Sequence, residues 1–149
     1  MKKKIKILDC TLRDGGYYNK WDFDKNIYKK YFENIKKSRI DAIEIGFRSY
    51  PGNSYLGPFA YSTDLFLNRN NIKHNRLAVM LNASDLIKAK KKDYNYFFDK
   101  KKKSPVKIIR IACHLNEYSQ IKKIVNTIKK NGYKIHLNLM QISEYSDEV

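Results

Sequence analysis

Residues 8–16 read LDCTLRDGG and set Arg13 and Asp14 side by side, just after the alternating stretch KIKI. Opposite charges at the end of a buried strand are costly unless something partners them. Glu44, inside IDAIEIGF (residues 40–47), is the natural partner of Arg13. Neighbouring parallel strands would bring the two ends together, and a bidentate bridge would fix the guanidinium plane. A guanidinium held that way can stabilise an oxyanion developing on a carbonyl. Asp14 would point its carboxylate into the same mouth, with Gly15 and Gly16 turning the backbone away. One carboxylate does not hold a divalent ion by itself; two or three further protein ligands are needed. From spacing alone, an architectural Arg–Glu bridge with Asp14 capping a turn explains these residues equally well.

Other polar residues interrupt strand-like runs. Arg110 and His114 lie on residues 106–114 (VKIIRIACH), and His136, Asn138 and Gln141 lie on residues 134–143 (KIHLNLMQIS). Strands of a parallel sheet are covered on both faces and should be nearly pure apolar runs, so such exceptions mark candidate site positions. His136 and Asn138 share a face by the period of two. A histidine at a strand end is more often a hydrogen-bonded structural residue than a ligand. Neither GxGxxG nor GxxxxGK[ST] occurs, and neither CxxC nor HExxH is present. The sequence therefore offers no phosphate-binding loop and no metal motif of those kinds.

The elements that must position these groups alternate along the chain. Residues 4–12 read as a strand, and residues 24–39 as a helix capped by Asp24, with Ile27, Tyr31 and Ile35 on its core face and Phe32 widening it. Residues 40–47 form a second strand, 48–62 a long loop, 63–70 a short helix and 76–82 a third strand. Residues 84–101 read as a helix with Ser84 and Asp85 as cap candidates. The fourth strand spans 106–114, and a helix over 116–133 stops at Gly132. The fifth strand is 134–143. Such alternation means a parallel sheet with crossover helices. It suits either a doubly wound sheet or the first five βα units of an eight-unit barrel. A complete barrel needs about 250 residues, more than these 149.

Composition bounds the function. Hydrophobic residues make up 42%, enough for a core, and residues 1–149 read as a single domain. No apolar run of about 18 residues offers a transmembrane helix. Cys10 and Cys113 sit in apolar strands and read as reduced core thiols of a cytoplasmic protein. The net charge of +16 is spread along the chain. Its densest cluster, residues 88–103, interleaves lysines with Tyr94, Phe97 and Phe98. That fits a helix whose aromatics cover a core while the lysines stay wet better than a nucleic-acid surface.

LDCTLRDGGY followed by IEIGFR resembles the pyruvate-carboxyltransferase-like superfamily of metal-dependent barrels. Hydroxymethylglutaryl-CoA lyase, isopropylmalate synthase and 4-hydroxy-2-oxovalerate aldolase belong to it, and the aldolase branch is the most similar. IIRIACHLNEYSQ and HLNLMQIS resemble that branch's fourth and fifth barrel strands, so the likeness covers essentially the whole chain. It implies the N-terminal part of a (β/α)8 barrel, an incomplete parallel barrel, and a carbon–carbon lyase or aldolase acting on a 2-oxo acid or related carbonyl through an enolate. It further implies that Arg13 stabilises the enolate, Glu44 positions Arg13, Asp14 is a ligand of Mn²⁺ or Mg²⁺, and Arg13 and His114 meet the substrate. Two positions depart from the pattern. The acid/base histidine expected three residues after the metal aspartate is Tyr17; Tyr17 or Tyr18 is the available substitute, and a phenol is a poorer base than an imidazole at neutral pH. The HxH pair that supplies the other metal ligands occurs nowhere in these 149 residues. The metal site is thus incomplete, and a second polypeptide or a missing C-terminal half is expected to complete the barrel. A small basic binding module and a non-catalytic barrel remnant are the competing readings.

Overall fold

The computed structural model describes residues 5–89, 97–98 and 104–145. Five parallel strands carry the fold: β1 (Leu8–Asp9), β2 (Ala42–Phe47), β3 (Leu77–Asn82), β4 (Ile108–Cys113) and β5 (Lys134–Leu139). They pair strictly in sequence order. A doubly wound sheet reverses its strand order at a switch point. This one never reverses, so it curls as the first part of a barrel. Helices follow the strands: α1 (Thr11–Asn19), α2 (Lys25–Lys37), α3 (Pro58–Tyr61), α4 (Asp64–Arg69), α5 (Ala83–Lys88) and α6 (Tyr118–Lys130).

The period of two divides each strand between two cores. Ile43, Ile45, Val79, Leu81, Ile109 and Ile111 face outward and are buried against the helices. Ile121, Ile124 and Ile128 of α6 meet them at helical spacing. On the concave side, Leu8, Ala42, Ala78 and Ile108 form one small apolar layer, and Phe47, Met80 and Ala112 form another with Trp21 and Met140. Glu44 and Arg110 share that concave face. The β2–β3 register shifts between Glu44 and Phe47. Gly46 lies in this irregularity, where an added Cβ would sit 2.0 Å from the carbonyl oxygen of Phe59. The bulge thereby turns Phe47 to the concave side.

Several boundaries differ from the sequence reading. The first strand ends at Asp9, not Leu12, because the Asp9 carboxylate accepts from the Thr11 amide and hydroxyl, both at 3.0 Å, and from the Tyr31 hydroxyl. A side chain that captures the next backbone amide competes with the ladder. Gly15 and Gly16 consequently lie inside α1 and are not the turn expected there. Asp24 does cap α2, accepting from the Asn26 amide at 2.8 Å. Ile27, however, is exposed; Tyr28 is buried in its place, its hydroxyl donating to Asn70 at 2.9 Å. The 48–62 loop contains the single turn α3, and α5 begins at Ala83 without a side-chain cap, so neither Ser84 nor Asp85 serves as one. Strand β5 stops at Leu139, and Gln141 has left-handed backbone before a 3-10 turn. Phe97 and Phe98 are buried as expected. Tyr94 and most of the 88–103 cluster lie outside the described residues. At the end of α6, Gly132 takes φ 91°.

Candidate active site

Arg13 enters the site from the first turn of α1, directly after β1, while Glu44 and Arg110 are each the third residue of their strands. Glu44 is completely buried. Its Oε1 lies 2.5 Å from Arg13 Nε, and both its oxygens accept from Arg110 Nη1 at 2.9 Å. The Arg13–Glu44 pair was legible in the sequence; its form was not. In place of the expected bidentate bridge to Arg13, both Glu44 oxygens share one nitrogen of Arg110. Arg13 Nε, a buried nitrogen, is in ion-pair contact with Glu44 but has no aligned hydrogen bond. Arg110 Nη2 also donates to Asn138 Oδ1 on β5 at 3.4 Å, so one network ties α1, β2, β4 and β5 together.

The outer edge of the Arg13 guanidinium carries Asp14. Nη1 lies 2.7 Å from Oδ1, and Nη2 donates to Oδ2 at 3.2 Å. Arg13 is 18% exposed and Asp14 59%. Asp14 is thus the solvent-facing partner of a largely buried guanidinium, and its turning into water would uncover the outer edge of Arg13. Burial works against the Arg13 charge, but Glu44, Cys10 and Asp14 outweigh it and hold the guanidinium more firmly protonated than usual. Cys10 completes the cluster, its thiol 3.5 Å from Glu44 Oε1 and 4.0 Å from Arg110 Nη1. Burial, then the Glu44 charge, push that thiol up, which favours its neutral form.

Trp21 braces this arrangement, its indole N–H donating to the Arg13 carbonyl at 2.9 Å. Gly16 makes room for it, since a Cβ there would lie 2.0 Å from Trp21 Cδ1. Tyr17 stands one turn beyond Arg13 on the same helix face. Its exposed ring packs edge-on against Trp21 and Phe47, with centroids 4.8 and 6.2 Å away. His114 lies just past β4 and is tied to Glu117 in a reciprocal cap, its own amide donating to Glu117 Oε2 at 2.9 Å. Beneath Arg110, a cavity of about 360 Å³ is lined by Leu8, Ala42, Ile108 and His136, among others.

Arg13, Asp14 and Glu44 are thus brought together, Tyr17 stands one turn along the same helix, and His114 sits past the end of β4 in its cap with Glu117. Sequence reading singled out Arg110 as a charge in a strand but missed its carboxylate. Trp21 carried no signal beyond being the single tryptophan. Among the described residues no group of three or more His, Cys, Asp or Glu side chains could hold a metal ion. Asp14 can supply one carboxylate ligand to a divalent cation, and two or three further protein ligands would have to come from elsewhere. No described helix is long and apolar enough to cross a membrane.

No family model matches the chain. The curated proteins likewise contain no match. Among solved structures, the chain is similar to the N-terminal domain of a candidate aldolase from Bacteroides vulgatus, with 34% identity and a TM-score of 0.82. The match covers 94% of this chain and 46% of that one, so the chain spans about half the length of the structure it resembles. The fold described here, five parallel strands with helices between them in an incomplete barrel, is therefore aldolase-like; among the described residues β5 is followed only by a 3-10 turn, so the fifth expected helix is not seen.

Proposed function

We propose that these residues form the N-terminal half of a carbon–carbon lyase of the aldolase type, acting on a 2-oxo acid or related carbonyl compound. The observation that carries this reading is the fixed guanidinium of Arg13, anchored from within by buried Glu44 and open at its outer edge. In the cleavage direction, a proton leaves a hydroxyl on the carbon two places from the carbonyl carbon. The bond between that hydroxyl-bearing carbon and the carbon next to the carbonyl breaks, leaving an aldehyde or ketone, and its electron pair passes through the new enolate to the carbonyl oxygen. Arg13 neutralises that oxygen as its charge develops. A proton then returns to the enolate carbon. Tyr17, beside Arg13 on α1, is the group of this chain assigned to the proton transfer.

Asp14 is this half's contribution to a Mn²⁺ or Mg²⁺ site in the same reading, with the remaining ligands supplied by a completing polypeptide. Strand β5 supports such a completion. It ends the sheet, and Leu137 and Leu139 are partly exposed along it. Free edges of this kind invite further strands. The test uses the protein as isolated from its own cells, with whatever stays bound to it. Pyruvate in D2O reports enolate formation through exchange of its methyl protons, followed by NMR in the presence of Mn²⁺ or Mg²⁺. Exchange is expected, and Arg13→Met should remove it. Exchange that is absent, or that survives in the variant, sinks the reading.

A further inference from the structure

The buried cluster holds two guanidinium groups and one carboxylate. Arg110 Nη1 takes both oxygens of Glu44, while Arg13 meets only Oε1 through a poorly aimed Nε. Exposed Asp14 supplies the fourth charge. Once Asp14 turns into water, the interior keeps one positive charge more than it cancels. Arg110 cannot present that charge itself, since Nη1 is spent on Glu44 and Nη2 leans on Asn138. Arg13 can, because both its Nη atoms face outward, toward Asp14.

We propose that Arg110 is the positioning residue that makes Arg13 an anion receptor. By engaging both oxygens of Glu44, it leaves two guanidinium groups on one carboxylate, an excess of one positive charge that Arg13 alone turns to the mouth through its outer edge. The ligand is a small carboxylate that exchanges with Asp14 at that edge. Without Arg110, Arg13 and Glu44 form a neutral pair and the mouth loses its attraction. The inference rests on the reading of Arg13 given above and adds a residue that never touches the ligand.

The experiment titrates oxalate, a planar dicarboxylate, into the full chain at low salt with EDTA present. Emission of Trp21 is the readout, since its indole is bonded to the Arg13 carbonyl. The wild type should respond saturably and Arg13→Met should not. Arg110→Met should weaken binding about tenfold or more, as expected for a cation removed from a poorly solvated site, while Arg110→Lys, which keeps the charge, should stay within about threefold. A folded Arg110→Met variant that binds as tightly as wild type overturns the proposal. So does a tenfold loss in Arg110→Lys, which would make Arg110 a structural prop; that variant decides alone should Arg110→Met not fold. A wild type without a saturable response, or with one that Arg13→Met retains, refutes the reading of Arg13 and this inference with it.

Discussion

Replacing Glu44 with Gln keeps the shape of the side chain and removes the one buried charge that two arginines share. At an effective dielectric of about 20, each attraction across about 4 Å is worth about 4 kcal/mol, so about 8 kcal/mol of Coulomb energy is lost. The desolvation cost of the carboxylate, several kcal/mol, is recovered when the group becomes neutral. The difference is a destabilisation of about 3–5 kcal/mol, the usual size when one partner of a buried ion pair is removed. Against a typical total of about 5–15 kcal/mol, that is a large share. Urea unfolding followed by Trp21 emission and by far-UV circular dichroism measures it. The double variant Glu44→Gln/Arg110→Met should be less destabilised than the sum of its singles, because removing Arg110 as well relieves the stranded charge. A loss below about 1 kcal/mol in Glu44→Gln would refute the reasoning, since the site would then have to be wet enough to screen the pair.

Gly16→Ala should cost about 1–3 kcal/mol, as overpacking does, because the new methyl group meets the Trp21 ring. A red shift of Trp21 emission should accompany it as the indole leaves the Arg13 carbonyl; unchanged emission and stability would contradict the close approach. The Cys10 thiol gives a pH dependence. Its folded pKa is raised, by burial and then by Glu44, so its contribution is complete below the ordinary thiol pKa of about 8.5 and is lost as pH rises through the folded value. Urea midpoints should therefore fall on the alkaline side. Cys10→Ser should fall less steeply than wild type, whereas parallel curves would remove Cys10 from the account.

The strand order was legible because alternating apolar strands and amphipathic helices leave few topologies, although only the observed pairing separates a barrel half from a doubly wound sheet. The Arg13–Glu44 contact was legible for a harder reason: a charge inside an apolar strand must find a partner. Two misreadings share one cause, in that a local pattern met a competing tertiary contact. The string TLRDGGYYN looks like a strand end and a glycine turn, yet it is helical, because Asp9 captures the Thr11 amide and Gly16 gives way to Trp21. In α2, Tyr31, Phe32 and Ile35 pack against the core as their spacing predicts, and only Ile27 falls off that face. Tyr28 takes the core instead because Asn70 accepts its hydroxyl proton.

Arg110 shows where pattern reading stops. Its presence in an apolar strand announced that it needed a carboxylate, and Glu44 was available, but so was Arg13, which had the stronger claim by proximity of strand ends. Choosing between the two cations requires the register. β4 sets Arg110 beside Met80, and β2 sets Glu44 beside Ala78, so the small alanine leaves room across the concave face for a long side chain to reach two strands over. Arg13, arriving from a helix and not a strand, meets the same carboxylate at an angle that its Nε–H cannot follow. The carboxylate therefore pairs most fully with the cation that sequence reasoning had left without one. That unequal sharing turns Arg13 from half of a closed salt bridge into a charge directed at the mouth of the barrel.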